Sequence, residues 1–263
     1  MSIAQAIFLG VIQGLTEFLP ISSSGHLVFF QSLFGMEEPQ LFFDIMLHLG
    51  TLLAVVIFFR KDIWKIIKGL ASLLKRGKEN LEEVKLFYWI ILASIPTGFM
   101  GILFKDWFES LFSKPRLVGG MLLITGFILW FTRWAQRNGK PLQRMGWYDA
   151  ILIGIAQGIA IIPGISRSGA TISTGLFCGL DRELSGKFSF LLSIPAILGA
   201  TLLEMRHIEL QQNLWTFILG FGVAFCMGFF SLTVLMKIIK IGKISNFSYY
   251  CWGMGMMMVF LIK

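Results

Sequence analysis

The sequence predicts an all-α integral membrane protein, six transmembrane helices plus two re-entrant helical hairpins, arranged as an inverted-topology repeat. Three observations lead there. Of 263 residues, 56% are hydrophobic and only 14% charged, against about a quarter charged in an average soluble domain. The 26 Phe, 8 Trp and 13 Met sit in apolar runs that a soluble core of this size could not bury, so lipid must cover them. Two of these runs are broken in the middle by Pro/Gly/Ser clusters and resemble each other at a constant spacing.

In chain order, the first broken run covers about 3–35 and is interrupted at Pro20-Ile21-Ser22-Ser23-Ser24-Gly25. Three spans follow, at 41–59, 86–104 and 117–134. The second broken run covers 148–180, interrupted at Pro163-Gly164-Ile165-Ser166-Arg167-Ser168-Gly169, and is followed by spans at 188–203, 214–236 and 247–262. Proline and glycine open a helical backbone, and the freed polar groups are tolerated at membrane depth only inside protein or along a wet cavity. Each broken run therefore reads as two half-helices entering and leaving by the same face.

Charge orients the chain. Loops 60–85, 133–144, 181–187 and 237–243 carry seventeen Lys and Arg, whereas 105–116, 204–213 and the last residue carry five. The first group is expected on the cytoplasmic side and both termini outside. The net charge of +8 is absorbed by this asymmetry, so no nucleic-acid partner is expected. Cys178, Cys226 and Cys251 lie in apolar sequence at no metal-ligand spacing and read as small buried hydrophobes. The first apolar run lacks a basic leader and a small-residue cleavage site, and is expected to remain in the mature protein.

The two broken runs match at an offset of 144 residues: Ala6/Ala150, Ile7/Ile151, Gly10/Gly154, Gln13/Gln157, Gly14/Gly158, Ile21/Ile165, Ser22/Ser166, Ser24/Ser168 and Gly25/Gly169. Nine matches in a 22-residue window without a gap make a repeat. Three spans follow each copy, an odd number, so the second copy is inverted. The chain is one membrane domain, 1–263, with repeats of about 1–134 and 148–263, and the two broken tips are expected to meet near the midplane.

Ionisable residues at membrane depth are costly and are functional candidates by default; here they are Glu17, His26, Asp44, His48 and Arg167. Gln13 and Glu17, four apart, share a helix face. Ser22, Ser23, Ser24, Gly25 and His26 open the next half-helix, where unpaired N–H groups favour an anion. A serine three residues before an imidazole is within reach of activation as a nucleophile. The second tip repeats the cap with Gly164, Ser166, Ser168, Gly169 and Thr171, but has Arg167 where the first has Ser23, Ile161 for Glu17 and Ala170 for His26. One tip thus supplies acid, base and hydroxyls, and the other a guanidinium that grips phosphate oxygens. That division suits phosphoryl transfer. Asp44 and His48 are four apart and could join Glu17 on a divalent cation, Mg²⁺ or Ca²⁺, or orient His26; His48 reads better as a helix-packing group. Gln157, Ser166 and Thr171 read as a mixture of phosphate donors and helix–helix glue.

Gln13-Gly14-Leu15-Thr16-Glu17-Phe18-Leu19-Pro20-Ile21-Ser22-Ser23-Ser24-Gly25-His26 and Pro163-Gly164-Ile165-Ser166-Arg167-Ser168-Gly169-Ala170-Thr171 resemble the two signature motifs of the undecaprenyl-pyrophosphate phosphatase family, the bacitracin-resistance type, and Phe43–Val55 also looks like that family. The resemblance implies removal of the terminal phosphate from undecaprenyl pyrophosphate in a bacterial plasma membrane. It further implies divalent-metal dependence and a site opening to the extracytoplasmic side. Carried over by motif position, Glu17, Ser23, His26 and Arg167 are the expected catalytic set. Gln13, Ser22, Ser24, Gly25, Gly164, Ser166, Ser168, Gly169 and Thr171 are expected to bind substrate, with Glu17 and Asp44 as metal ligands. The family's motif has glutamate or glutamine at the first position, and the glutamine here weakens a proton-transfer role for Gln13. Either Ser23 attacks and His26 takes its proton, or His26 activates water directly. The expected partners are a polyprenyl pyrophosphate and the bilayer, with a homodimer as the candidate assembly. A lipid-carrier transporter or flippase is the alternative that inverted repeats raise, and a lipid acyl- or phosphotransferase is a further one.

Overall fold

The computed structural model describes residues 1–36, 40–75, 81–135, 139–204 and 214–261. Part of the loop charge used above (76–80, 136–138, 205–213 and 263) lies outside the described residues. Within them the regular structure is helical, apart from an isolated bridge between Lys140 and Leu180.

Both interrupted runs are broken where the sequence breaks them. The first gives α1 (Ile3–Phe18) and α2 (Ser23–Leu33). Pro20 ends α1, and Ser22 turns the chain with φ of 65°, the one positive φ at a non-glycine among the described residues. The second gives α8 (Trp147–Ile159) and α9 (Arg167–Phe177). Between the two pairs lie α3 (Leu41–Phe58), α4 (Arg60–Leu74), α5 (Leu81–Leu103), α6 (Lys105–Phe112) and α7 (Pro115–Phe131). After them come α10 (Arg182–Glu204), α11 (Leu214–Ile241) and α12 (Phe247–Leu261).

Among the described residues four helices are long and apolar enough to cross a membrane: Leu81–Leu103, Pro115–Trp134, Arg182–Leu203 and Leu214–Ile241; a fifth is added if α3 and α4, bent by 70° at Phe59, count as one broken span. The run expected at 247–262 forms α12, whose 15 residues extend about 22 Å, short of a full hydrocarbon core. Two stretches expected as loops are helical. In α4 and α6 charged residues lower the mean hydropathy while apolar ones recur at helical spacing, Ile63, Ile66, Ile67 and Leu70 in α4, the pattern of helices with one wet face.

Small residues set the packing, as is usual where lipid gives helices no hydrophobic reason to associate. α1 lies on α11, where a side chain at Gly14 would come within 2.6 Å of Met227 Cβ, and the Ser231 hydroxyl donates to the Gly14 carbonyl at 2.7 Å. α8 lies on α5 in a like manner. A side chain at Gly154 would strike the Ala93 carbonyl, and Thr97 donates to the Gly154 carbonyl at 2.9 Å. α3 packs against α11, α10 against α5, α3 against α10, and α7 against α12.

The base of the second hairpin is clamped by Lys140. Its backbone bridges to Gly179 and Asp181 (2.7 and 3.1 Å), and its ammonium holds both carboxylate oxygens of the fully buried Asp149 at 2.8 and 2.7 Å. Removing one partner of a buried pair strands the other charge. Lys140→Ala should therefore lower thermal stability in detergent by about 3 kcal/mol or more, whereas Lys140→Arg keeps most of it. An unshifted melting curve for Lys140→Ala would contradict the clamp.

Candidate active site

The two tips are capped identically. In the first, the Ser22 hydroxyl accepts from Gly25 N (3.3 Å) and sits 3.2 Å from the Ser24 hydroxyl. In the second, the Ser166 hydroxyl accepts from Gly169 N (3.1 Å) and sits 3.2 Å from the Ser168 hydroxyl. Each serine satisfies an orphan donor at a helix start. The second tip is pinned by α7. Thr125 donates to the Gly164 carbonyl (2.9 Å) and accepts from Ser166 N (3.1 Å). Gly164 has φ of 95°, and any side chain there would run into the Val118 carbonyl, so glycine is required.

The tips touch. A Cβ at Gly25 would lie 3.4 Å from Gly164 Cα, and one at Gly169 3.4 Å from Pro20 Cβ. The Ser168 hydroxyl donates to the Leu19 carbonyl at 3.4 Å. At their centre is the buried Glu17. Its Oε1 accepts from Arg167 Nη2 at 2.8 Å. Its Oε2 accepts from the Ser23 hydroxyl at 2.6 Å and from Gln13 Nε2 at 3.0 Å, and lies 3.5 Å from His48 Nε2. Residues 150 apart in sequence thus share one carboxylate.

Glu17, Ser23 and Arg167 open onto a cavity of about 630 Å³, which Ser22, Ser24 and Ser166 also line. Arg167 Nη1 is buried there without a hydrogen-bond partner, as is Gln157 Oε1. A hydroxyl held on a carboxylate beside a spare guanidinium N–H can bind an oxyanion and attack it. Six residues of the expected substrate set stand outside this lining. Gln13 is fully buried against Glu17, and Gly25, Gly164, Ser168 and Gly169 build the turns behind the cavity. The Thr171 hydroxyl is taken by Ser189 (2.6 Å) and the Arg167 carbonyl (2.8 Å), which makes it helix–helix glue.

His26 needs a correction. The serine–imidazole spacing sets it beside Ser23, as the base for that hydroxyl or for water. Its Nδ1 instead donates to the Ser22 carbonyl (2.8 Å), which leaves Nε2 as the acceptor of the neutral ring for the Tyr250 hydroxyl (2.7 Å). The two rings stack with centroids 5.6 Å apart. The reason is helical geometry: three residues on from Ser23, at the start of α2, the imidazole turns toward α12 and Glu17 takes the serine. His48, read above as a packing group, does bond locally, its Nδ1 donating to the Asp44 carbonyl at 2.7 Å, yet it reaches Glu17 and lines the cavity. Tyr250 escaped the sequence reading because nothing in the apolar run 247–262 distinguishes it.

The described residues hold no group of three or more His, Cys, Asp or Glu able to ligate a metal. Asp44 lines the same cavity but gives Oδ1 to Gln31 Nε2 at 2.7 Å. The donors that line the cavity near Ser23, the Glu17 and Asp44 carboxylates and the unpartnered amide oxygen of Gln157, are all hard oxygens. That set suits a Mg²⁺ or Ca²⁺ held jointly with substrate phosphate, not a cation caged by protein alone.

Fold and site together define a multi-pass helical membrane protein with a buried hydroxyl–carboxylate–guanidinium centre. The chain belongs to the bacitracin resistance protein BacA family, which matches residues 6–257. It is 45% identical to an undecaprenyl-diphosphatase of Halothermothrix orenii over 99% of this chain and 98% of that one. It is 44% identical to one of Desulforapulum autotrophicum, over 98% of each, and 42% identical to one of Methanosphaera stadtmanae, over 99% and 98%.

Thr125→Val keeps shape but leaves two buried backbone groups unpaired, at about 1–3 kcal/mol each. It should lower both melting temperature and turnover, and Thr125→Ser should restore them. A valine variant as stable as wild type would show that α7 does not hold the second tip.

Proposed function

We propose that this chain hydrolyses undecaprenyl diphosphate to undecaprenyl phosphate and inorganic phosphate, recycling a lipid carrier of cell-wall synthesis. Bacitracin resistance accompanies that activity. The observation that carries the reading is the sharing of Glu17 between Ser23, at 2.6 Å, and Arg167, at 2.8 Å, on the floor of a cavity within the helical bundle.

The Ser23 oxygen attacks the terminal phosphorus and its proton passes to Glu17, the acceptor already in hydrogen-bond contact. The bond from that phosphorus to the bridging oxygen breaks, and undecaprenyl phosphate leaves. Water then attacks the phosphoserine, releasing inorganic phosphate, and the proton on Glu17 returns to Ser23. Arg167 Nη1 supplies a donor to the phosphoryl oxygens, worth most in a site that excludes water. His26 serves by fixing the start of α2 on α12. Glu17, with Asp44 in the lining of the same cavity, would hold a divalent cation together with the diphosphate, and such a cation would neutralise the headgroup charge.

The architecture we propose is one membrane domain of two inverted repeats, about 1–134 and 148–263, each a re-entrant hairpin followed by three crossings, α12 being the shortest. The packing supports it. α1 on α11 has its counterpart in α8 on α5, α3 on α11 in α10 on α5, and the pairs α7–α12 and α3–α10 map onto themselves. The lining of the cavity includes Lys105, Glu109 and Phe112 of α6. That segment lies on the side poor in Lys and Arg, which supports a site opening outside the bacterial plasma membrane.

The test is phosphate release from undecaprenyl diphosphate by protein in detergent with Mg²⁺ or Ca²⁺. Ser23→Ala, Glu17→Gln and Arg167→Ala should each lower kcat by about 10²-fold or more, and His26→Gln by much less than Glu17→Gln. Wild-type protein that releases no phosphate without sealed vesicles would favour a carrier. Phosphate transfer only to an added lipid would favour a transferase. Full turnover in Ser23→Ala would remove the nucleophile.

A further inference from the structure

Glycines usually earn their place in a helix by letting another backbone approach, as Gly14 and Gly154 do. Gly98 in α5 and Gly199 in α10 do not. A side chain at either would meet no atom of another part of the chain within 4 Å, yet glycine inside a helix is destabilising relative to alanine. Both line the cavity that holds Glu17 and Arg167. Along α5 the lining residues are Ser94, Thr97, Gly98, Gly101 and Ile102, spaced three and four apart and so on one face. Along α10 they are Pro195, Ala196, Ile197 and every residue from Gly199 to Leu203, so this stretch of α10 borders the cavity with Gly199 in its midst. α5 packs against α10, and both helices bound the cavity.

The lining is mixed in character. It is polar at Ser23 and Arg167, and Gln157, only 2% exposed and bonded to Thr97 through Nε2, keeps Oε1 without a donor. A buried acceptor left open in this way marks space that a ligand's polar group completes. Beside the charged residues of α6, the lining also holds Ile102 and Leu202, each 67% exposed on helices apolar enough to cross a membrane, an apolar outlet toward lipid. A polar seat and an apolar outlet in one cavity fit an amphiphile whose chain leaves sideways between α5 and α10.

We infer that Gly98 and Gly199 determine substrate specificity by keeping this groove wide enough for the branched polyprenyl chain next to the diphosphate. The inference rests on the hydrolase reading and adds its lipid subsite. An isoprenoid chain carries a methyl branch at every unit and is bulkier than a straight alkyl chain. Side chains at these two positions would fill the space it needs while leaving the diphosphate seat intact.

The full chain in detergent tests this with two diphosphates, undecaprenyl and dimethylallyl, and with inorganic pyrophosphate as a tailless competitor. Gly98→Leu and Gly199→Leu should lower kcat/KM for undecaprenyl diphosphate about tenfold or more. Turnover of dimethylallyl diphosphate and inhibition by pyrophosphate should stay within about twofold. The Ala variants should follow the same order more weakly, which keeps the test decisive if a Leu variant does not fold. Gly253→Leu, also open but on α12 away from the cavity, should change nothing. Leu and Ala variants that keep undecaprenyl turnover, or that lose pyrophosphate binding in parallel with it, would overturn the groove assignment alone. A wild-type protein that hydrolyses neither diphosphate would overturn the hydrolase reading beneath it.

Discussion

A carboxylate buried among apolar helices has few ways to exist, and in this protein Glu17 takes the most demanding one, a direct ion pair with a guanidinium from the opposite half of the chain. A charge in the hydrocarbon region costs several kcal/mol unless it is paired, so Glu17 and Arg167 each need the other. That need draws the two broken hairpins into contact, with Gly25 against Gly164 and Gly169 against Pro20. The interrupted helices, the serine caps and the small residues that let α1 and α8 approach their neighbours all serve to bring this pair together without exposing unpaired backbone to lipid.

The same pairing prepares chemistry. Arg167 takes one oxygen of Glu17 and leaves the other for Ser23, so the hydroxyl already donates to the carboxylate that the proposed mechanism uses as its proton acceptor. The Nη1 of Arg167, a residue of the same cavity lining, is buried without a partner. A phosphatase of a lipid anchored in the bilayer has reason to work at this depth, because the headgroup can be drawn down to donors that water does not screen while its tail stays among helices and lipid.

Much of this was legible in the sequence. The interruptions at Pro20 and Pro163-Gly164 locate both breaks, and the 144-residue offset pairs Ser22 with Ser166 and Gly25 with Gly169, residues that cap their helices alike. Replacement of Ser23 by Arg167 at equivalent positions signals that the tips differ in chemistry. What the sequence could not carry was direction. The spacing of Ser23 and His26 suggests a couple, but the imidazole turns to Tyr250 on α12, a residue 224 positions away. The closeness of His48 to Glu17 depends on how α3 is rotated, and the openness of Gly98 and Gly199 depends on how α5 and α10 cross. The helices α4 and α6 were hidden because a window that scores hydropathy averages away an amphipathic face.

The central claim is that the two hairpin tips meet, and a disulfide across them tests it most directly. In a chain with Cys178, Cys226 and Cys251 replaced by serine, cysteines at Pro20 and Gly169 would have Cβ atoms 3.4 Å apart, at the short edge of disulfide geometry. After oxidation in native membranes, cleavage at a protease site placed between residues 135 and 139 should leave the two halves joined on a non-reducing gel and separate on a reducing one. Halves that separate under both conditions would mean the tips do not meet, and the shared carboxylate would go with them.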